Sequence, residues 1–135
     1  RQRRDWLHVD DHCRGLLAAL DKGEPGASYI FGGGADVANN DLLAMLCAEL
    51  DAALPAGRPH AGLLRHVTDR PGHDRRYAMD SSKVAAALGW RPRVGLDCGL
   101  EITVRWYLDN EAWWRRILAE RYAGERLGRA GVGEL

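Results

Sequence analysis

The chain has 135 residues, enough for one domain with a modest core, and its 19 lysines and arginines balance its 19 aspartates and glutamates. A net charge of zero excludes the global basic field of nucleic-acid-binding proteins, so any anion site must be local. No apolar run approaches the length of a transmembrane helix. We therefore expect neither a nucleic-acid partner nor a membrane.

Cysteine usage favours a reducing compartment. Cys13, Cys47 and Cys98 are widely spaced, odd in number and match no metal-binding pattern. Each lies in an apolar run, so we expect buried, reduced thiols and a cytoplasmic protein.

The first half of the chain predicts two strand–helix units. A strand is expected at 5–9, where polar and apolar residues alternate. Another is expected at 28–31, which is rich in aromatic and β-branched residues. A helix is expected from about 11 to 21 with Asp10 or Asp11 as its N-cap, and another after Asn39 or Asn40 as its cap.

The second half predicts one more strand and three helices. Residues 63–67 read as a strand, and helices are expected from about 80 to 88, closed by Gly89, from 97 to 109 and from 111 to 121. Residues 128–135 are glycine-rich and expected to fray. The order of elements favours an α/β or α+β fold.

A basic turn spans Asp69 to Tyr77. Pro71 and Gly72 predict a tight bend, and the bend carries Arg70, His73 and two further arginines. Guanidinium groups pair with phosphate oxygens, so this turn is a candidate anion site, although a solvated surface loop is the simpler alternative. Arg4 and Asn39 also fall at element edges where they could converge with it.

Other chemistry has weaker support. Ser81 and Ser82 follow Asp80 at a helix start, so capping explains them without catalysis. The histidines show no metal-ligand spacing, and we expect no metal. The glycine run at 32–34 follows a strand-like segment but lacks the GxGxxG pattern of dinucleotide-binding loops.

Six segments, taken together, resemble the dTDP-glucose 4,6-dehydratases, which are extended short-chain dehydrogenase/reductase enzymes. The resemblance covers nearly the whole chain in order, at QRRDWLHVDDH (2–12), SYIFGG (28–33), DRPGHDRRY (69–77), DSSKVAAALGWRP (80–92), WYLDNEAWW (106–114) and YAGERLG (122–128). Ile30, Val37, Ala38 and His8 depart from the family's pattern, which leaves fine substrate preference open.

The resemblance implies an α/β fold in which this chain is the C-terminal substrate-binding lobe of an NAD(P)-binding Rossmann-type enzyme, without its cofactor domain. It implies an NAD-dependent lyase that converts dTDP-glucose to dTDP-4-keto-6-deoxyglucose, a precursor of rhamnose and other deoxysugars. The catalytic residues and most of the NAD site would lie upstream, so the chain alone is expected to be inactive.

Site residues carried over by motif position are all substrate-binding. Arg4 and Arg70 would contact the diphosphate, Asn39 would line the nucleotide pocket with His73 beside it, and Tyr122 would close the sugar-nucleotide site.

Two alternatives stay open: the lobe of a related sugar-nucleotide 4-epimerase or decarboxylase, and a non-catalytic anion-binding interaction module. We divide the chain into a substrate-binding portion at 1–127 and a flexible tail at 128–135. The resemblance implies a homodimer at full length. The isolated chain would expose apolar faces and is expected to self-associate.

Overall fold

A computed structural model describes residues 2–120 of the chain. The strands and helices in chain order are β1 Arg3–Trp6, α1 Val9–Lys22, β2 Ala35–Ala38, α2 Asn39–Ala53, a short 3-10 helix His60–Leu63, α3 Ser82–Leu88, α4 Leu96–Asp109 and α5 Glu111–Glu120. They fall into two compact units, and the division lies between Val104 and Arg105, inside α4.

The helix predictions are confirmed, because helical periodicity and end signals are local features of sequence. The helices expected at 11–21, 97–109 and 111–121 appear as α1, α4 and α5 within two residues at each end. Gly89 closes α3 in the left-handed conformation at φ 64°, as expected of a residue just past a helix.

The strand predictions are largely wrong. The first strand occupies 3–6, and Val9, expected in that strand, already belongs to α1. Residues 28–31 and 63–67 form no strand. Strand formation requires a partner, and no described segment pairs with 28–31, although its aromatic and β-branched composition is typical of a strand.

The sheet consists of β1 and β2 paired antiparallel, with Arg4 opposite Val37 and Trp6 opposite Ala35. The last residues of the basic turn, 75–77, run parallel along the other edge of β1. Arg3 donates its amide to the carbonyl of Arg75 at 2.8 Å, and Tyr77 donates to the carbonyl of Arg3 at 3.1 Å. These bonds fix the basic turn against β1.

The core lies between α1 and α3. Val84, Leu88 and Trp90 are buried there, and the Phe31 ring meets the Trp90 indole edge to face at 4.9 Å. Tyr29 packs on the same cluster. Tyr29 and Phe31 therefore contribute to the fold through their side chains rather than through a strand ladder.

The prediction that Asp10 or Asp11 caps α1 is wrong. The N-cap is His8, whose Nδ1 accepts a hydrogen bond from the Asp10 amide at 3.3 Å. Asp11 is fully buried, and its Oδ2 accepts from the amides of Arg93 and Val94, both at 2.9 Å.

The Asp11 carboxylate joins distant parts of the chain. Its Oδ1 accepts from the Arg14 guanidinium. Burial raises the pKa of Asp11, but the hydrogen bonds from the Val94 and Arg93 amides and from Arg14 outweigh burial, so the pKa is lowered. The ionised carboxylate holds the 93–94 loop against α1.

The prediction of three buried thiols holds only for Cys47, since Cys13 and Cys98 are exposed. Cys13 lies on an apolar face of α1 that is exposed along its length. The exposed apolar residues of that face are Val9, Leu16, Leu17 and Leu20. Of the helices that the structure describes, none is both long and apolar enough to cross a membrane.

Candidate anion-binding site

Alternation along β1 sorts its side chains onto two faces of the sheet. Arg3 and Asp5 lie on one face, opposite Ala38 and Asp36 of β2. Gln2 and Arg4 lie on the other face, where they contact Asp69 and His73 of the basic turn.

The first face carries an ion-pair cluster, the brace, formed by Arg3, Asp36 and Arg76. Asp36 accepts from the Nε of Arg3 at 3.1 Å and from the Nε of Arg76 at 2.8 Å. The hydrogen bond from Arg76 is the largest cause that lowers the pKa of Asp36, and the bond from Arg3 adds to it. Asp36 thereby links β2 to β1 and to Arg76 at the end of the basic turn.

The second face holds the Arg4 guanidinium in a fixed position. Its Nη1 donates to the carbonyl of Arg3 at 2.6 Å, and its Nη2 donates to the carbonyl of Asp74 at 3.1 Å. Nη2 also lies 2.8 Å from Nε2 of His73. The guanidinium stacks 4.4 Å from the centre of the Tyr77 ring.

These contacts leave donors available. They use three N–H groups of Arg4, so within residues 2–120 the Nε–H and one Nη1–H have no protein acceptor. A guanidinium that is held on one side and has donors to spare is suited to binding a phosphate oxygen.

His73 lies between Arg4 and Asp69. Its Nδ1 is 2.7 Å from the Asp69 carboxylate, which also accepts from the amide of Arg70 at 2.8 Å and from the Gln2 side chain. The hydrogen bond to His73 is the largest cause that lowers the pKa of Asp69, so the carboxylate stays ionised at neutral pH.

Arg70 is exposed on the same turn, and its charge acts on the Tyr77 hydroxyl, as does that of Arg4. The hydrogen bond from Tyr77 to Asp74 is the largest cause that raises the pKa of Tyr77. The Arg4 guanidinium lies over the Tyr77 ring, and Arg70 adds a second positive charge on the same turn.

Asn39 is the first residue of α2 rather than its cap, which corrects the prediction: Ala38 occupies the cap position and makes no side-chain hydrogen bond. The Asn39 amide donates to the carbonyl of Gln2 at 2.9 Å. Its Oδ1 is buried and has no hydrogen-bond partner among the described residues. A buried polar atom of this kind normally finds a partner in the complete protein or its ligand.

The structure thus brings Arg4 and His73 into direct contact, and the Asn39 amide binds the carbonyl of Gln2, two positions before Arg4. Arg70 lies on the same turn as His73. Tyr122 lies outside the described residues. The sequence reading overlooked Asp69, Asp74 and Tyr77 as parts of the site. The two aspartates could have been found from the sequence, because each stands beside basic residues of the turn with which a carboxylate can pair.

The expected capping role of Ser81 and Ser82 is also corrected. Ser81 occupies the N-cap position of α3 without a side-chain capping bond, and the Oδ1 of Asp80 accepts from the Ser82 amide at 2.9 Å. The Ser81 hydroxyl accepts from the Gly32 amide at 2.8 Å and makes no capping bond. Ser81 therefore fastens the glycine run to the start of α3.

Two glycines of the run are required by the chain's own close packing. A Cβ on Gly33 would lie 1.8 Å from the carbonyl oxygen of Trp6, and one on Gly32 would lie 2.5 Å from the Asp5 carboxylate. Residues 2–120 contain no cluster of potential metal ligands.

A separate pocket of about 460 Å³ lies between the glycine run and α3, with Ser81, Ser82 and Arg91 among its lining residues. It shares no lining residue with the Arg4–His73 cluster, and it carries a single charged group. We therefore place the candidate anion site at Arg4 and the basic turn.

Comparison with known proteins identifies the family of the chain. The family model described as GDP-mannose 4,6 dehydratase matches residues 1–103. A dTDP-glucose 4,6-dehydratase of Escherichia coli is 45% identical over 94% of this chain and 36% of its own length. One from an Actinoplanes species is 49% identical over 84% of this chain and 33% of its own length.

Solved structures agree with these sequence relatives. The chain is similar to dTDP-glucose 4,6-dehydratase from Streptomyces venezuelae, with a TM-score of 0.76 and 40% identity over 86% of this chain and 34% of that one. The Bacillus anthracis enzyme in complex with NAD gives 0.73 and 36% identity over the same shares. The chain spans about a third of the length of these relatives. It belongs to the GDP-mannose 4,6 dehydratase family.

Proposed function

We propose that the complete protein is a dTDP-glucose 4,6-dehydratase and that this chain contributes its diphosphate-binding part. The Arg4 guanidinium, fixed by His73 and the Asp74 carbonyl and left with unused donors, is the observation that carries the proposal. A diphosphate offers the oxygens that such donors bind. We infer the identity of the sugar nucleotide, dTDP-glucose, from the names of the relatives.

Four of the predicted substrate-binding residues have positions consistent with this role. Arg4 and Arg70 would share the diphosphate charge, His73 would adjoin it, and Asn39 would line the nucleotide pocket beside Gln2. Tyr122 remains a proposed fifth contact.

The reaction would oxidise C4 of the glucose with NAD, eliminate water across C5 and C6, and return the hydride to C6. NAD and the reacting residues would lie outside the described part of the chain, because the glycine run at 32–34 lacks the GxGxxG pattern and the chain spans about a third of the length of its relatives. The product would serve rhamnose or other deoxysugar synthesis in the cytoplasm, and the complete protein would be a homodimer.

The identity of the substrate needs an experiment, because the name of the family model contains GDP-mannose whereas the names of the relatives contain dTDP-glucose. The full-length protein, loaded with NAD, would be given each sugar nucleotide separately and the products weighed by mass spectrometry. We expect a product lighter by one water from dTDP-glucose alone. Turnover of GDP-mannose instead, or of neither, would overturn the proposal.

A second test concerns Arg70. Replacing Arg70 with alanine in the full-length protein removes a charge beside Tyr77 and should weaken dTDP-glucose binding by about tenfold, the effect of one charge-assisted hydrogen bond. Unchanged affinity would show that Arg70 does not contact the diphosphate.

A further inference from the structure

We propose that Asp69 is a positioning residue: it fixes the tautomer of His73 and thereby sets the direction of the Arg4 guanidinium toward the ligand. This inference rests on the proposed function and deepens it, because Asp69 would act on diphosphate binding without touching the ligand.

The first step assigns the proton on His73. An arginine side chain has only donors, so His73 Nε2, 2.8 Å from Nη2 of Arg4, must accept with its lone pair. The other ring nitrogen, Nδ1, then carries the proton and donates to Asp69 at 2.7 Å. The contacts are consistent only with a neutral ring that is protonated on Nδ1.

The second step concerns how Asp69 holds that ring. One carboxylate oxygen accepts from His73 Nδ1 and from the Arg70 amide at 2.8 Å, while the other accepts from the Gln2 side chain. Asp69 is therefore anchored both to the turn and to the end of β1. An acceptor fixed at this place selects the Nδ1–H tautomer.

The third step is the effect on Arg4. In the other tautomer, the Nε2–H of His73 would face a donor of Arg4, and the two hydrogens would repel. The guanidinium would lose one of its three hydrogen-bonded contacts and could rotate. Its free Nε–H and second Nη1–H would then no longer point toward the ligand. Asp69 thus affects the ligand through His73 and Arg4 in turn.

A double-mutant cycle tests this chain of contacts. Binding of thymidine diphosphate to the full-length protein would be measured by titration calorimetry for wild type, Asp69→Ala, Arg4→Ala and the double variant. We expect Asp69→Ala to weaken binding about tenfold in the wild-type background and less than about twofold when Arg4 is already absent.

Two further variants separate positioning from loss of charge or structure. Asp69→Asn keeps an oxygen that can accept from His73 and Arg70, so it should restore affinity to within about threefold of wild type. Asp80→Ala is the matched control, because Asp80 also accepts a backbone amide, at 2.9 Å, but contacts neither Arg4 nor His73. It should leave the affinity unchanged.

Nitrogen-15 NMR of the histidine rings gives a readout that does not depend on ligand binding. In the wild-type protein the proton should reside on Nδ1 of His73, and Asp69→Ala should move it to Nε2. A wild-type proton on Nε2 would overturn the inference.

The calorimetric outcomes separate the inference from the proposed function. If Arg4→Ala weakens binding while Asp69→Ala does not, or if Asp69→Ala costs the same in both backgrounds, the inference fails and the proposed function stands. If the wild-type protein does not bind thymidine diphosphate, the proposed function fails and the inference fails with it.

Discussion

Single carboxylates join distant parts of this chain. Asp11 on α1 binds the amides of the 93–94 loop. Asp36 on β2 binds Arg3 of β1 and Arg76 of the basic turn. Asp69 binds the side chain of Gln2, just before β1. Each has its pKa lowered, because each carboxylate accepts hydrogen bonds in its ionised form.

Replacing Asp11 with alanine should be strongly destabilising. The change leaves the amides of Arg93 and Val94 without their acceptor and leaves Arg14 without its partner, so we expect a loss of about 3 kcal/mol in the free energy of unfolding. Denaturant unfolding of the full-length protein and amide exchange at Arg93 and Val94 would measure it.

The neighbouring Asp10 provides the control. Its side chain is 76% exposed, so Asp10→Ala should cost less than about 1 kcal/mol through the helix dipole. Equal losses for the two variants would contradict the role assigned to Asp11.

The lowered pKa of Asp11 makes its contribution depend on pH. Stability from a carboxylate with a depressed folded-state pKa is complete above the unfolded value and is lost as pH falls through the folded value. The difference in stability between wild type and Asp11→Asn should thus be constant from neutral pH to about pH 5 and shrink below about pH 4. A difference that grows on acidification would contradict this sign.

At the scale of elements, β1 is the organising strand. It pairs with β2 on one edge and with residues 75–77 on the other, and its two faces carry the brace and the candidate site. Gly33 approaches the β1 backbone so closely that a side chain there has no room.

Gly33→Ala should therefore displace β1. A Cβ at 1.8 Å from the Trp6 carbonyl oxygen forces a backbone shift, for which we expect a loss of about 3 kcal/mol in stability and weaker ligand binding at Arg4. Gly57→Ala has open space around the new methyl group and should change stability by less than about 1 kcal/mol. Thermal unfolding of both full-length variants would compare them, and a tolerated Gly33→Ala would refute the close packing.

The helices could be predicted from the sequence and the strands could not, for a physical reason. The leucine spacing of α1 and the glycine after α3 are local signals, whereas β1 and β2 depend on pairing between residues 29 to 35 positions apart. Residues 28–31 have strand composition, and they form no strand because none of the described segments pairs with them.

The candidate site was predictable in its residue types and not in its contacts. The basic turn indicated Arg70 and His73, and positions at element edges indicated Arg4 and Asn39. The resemblance gave these four residues their roles and added Tyr122. That Arg4 touches His73, which lies 69 positions away, follows from the pairing of residues 75–77 with β1. The supporting role of Asp69 depends on the same pairing, so no local pattern revealed it.

At the scale of the whole molecule, apolar surface stands out. Leu20 of α1 is 85% exposed and Leu17 is 65% exposed, on the same side of the helix as Leu16. In residues 105–120, the indole of Trp113 is also half exposed. Surfaces of this kind are normally covered by other protein.

We therefore expect the 135-residue chain, expressed alone, to self-associate at micromolar concentration. Light scattering would measure its mass, and Leu17→Glu with Leu20→Glu should reduce the association by placing charges on the exposed face of α1. A monodisperse monomer for the unmodified chain would show that this face needs no cover.

The central claim is that Arg4, oriented by the basic turn, binds the diphosphate of a nucleotide sugar. Calorimetric titration of thymidine diphosphate into the full-length protein tests it most directly, with Arg4→Ala compared with Arg58→Ala, which changes an exposed arginine in a different loop. We predict at least about tenfold weaker binding for Arg4→Ala and less than about twofold change for Arg58→Ala. Equal affinities for wild type and Arg4→Ala would contradict the claim.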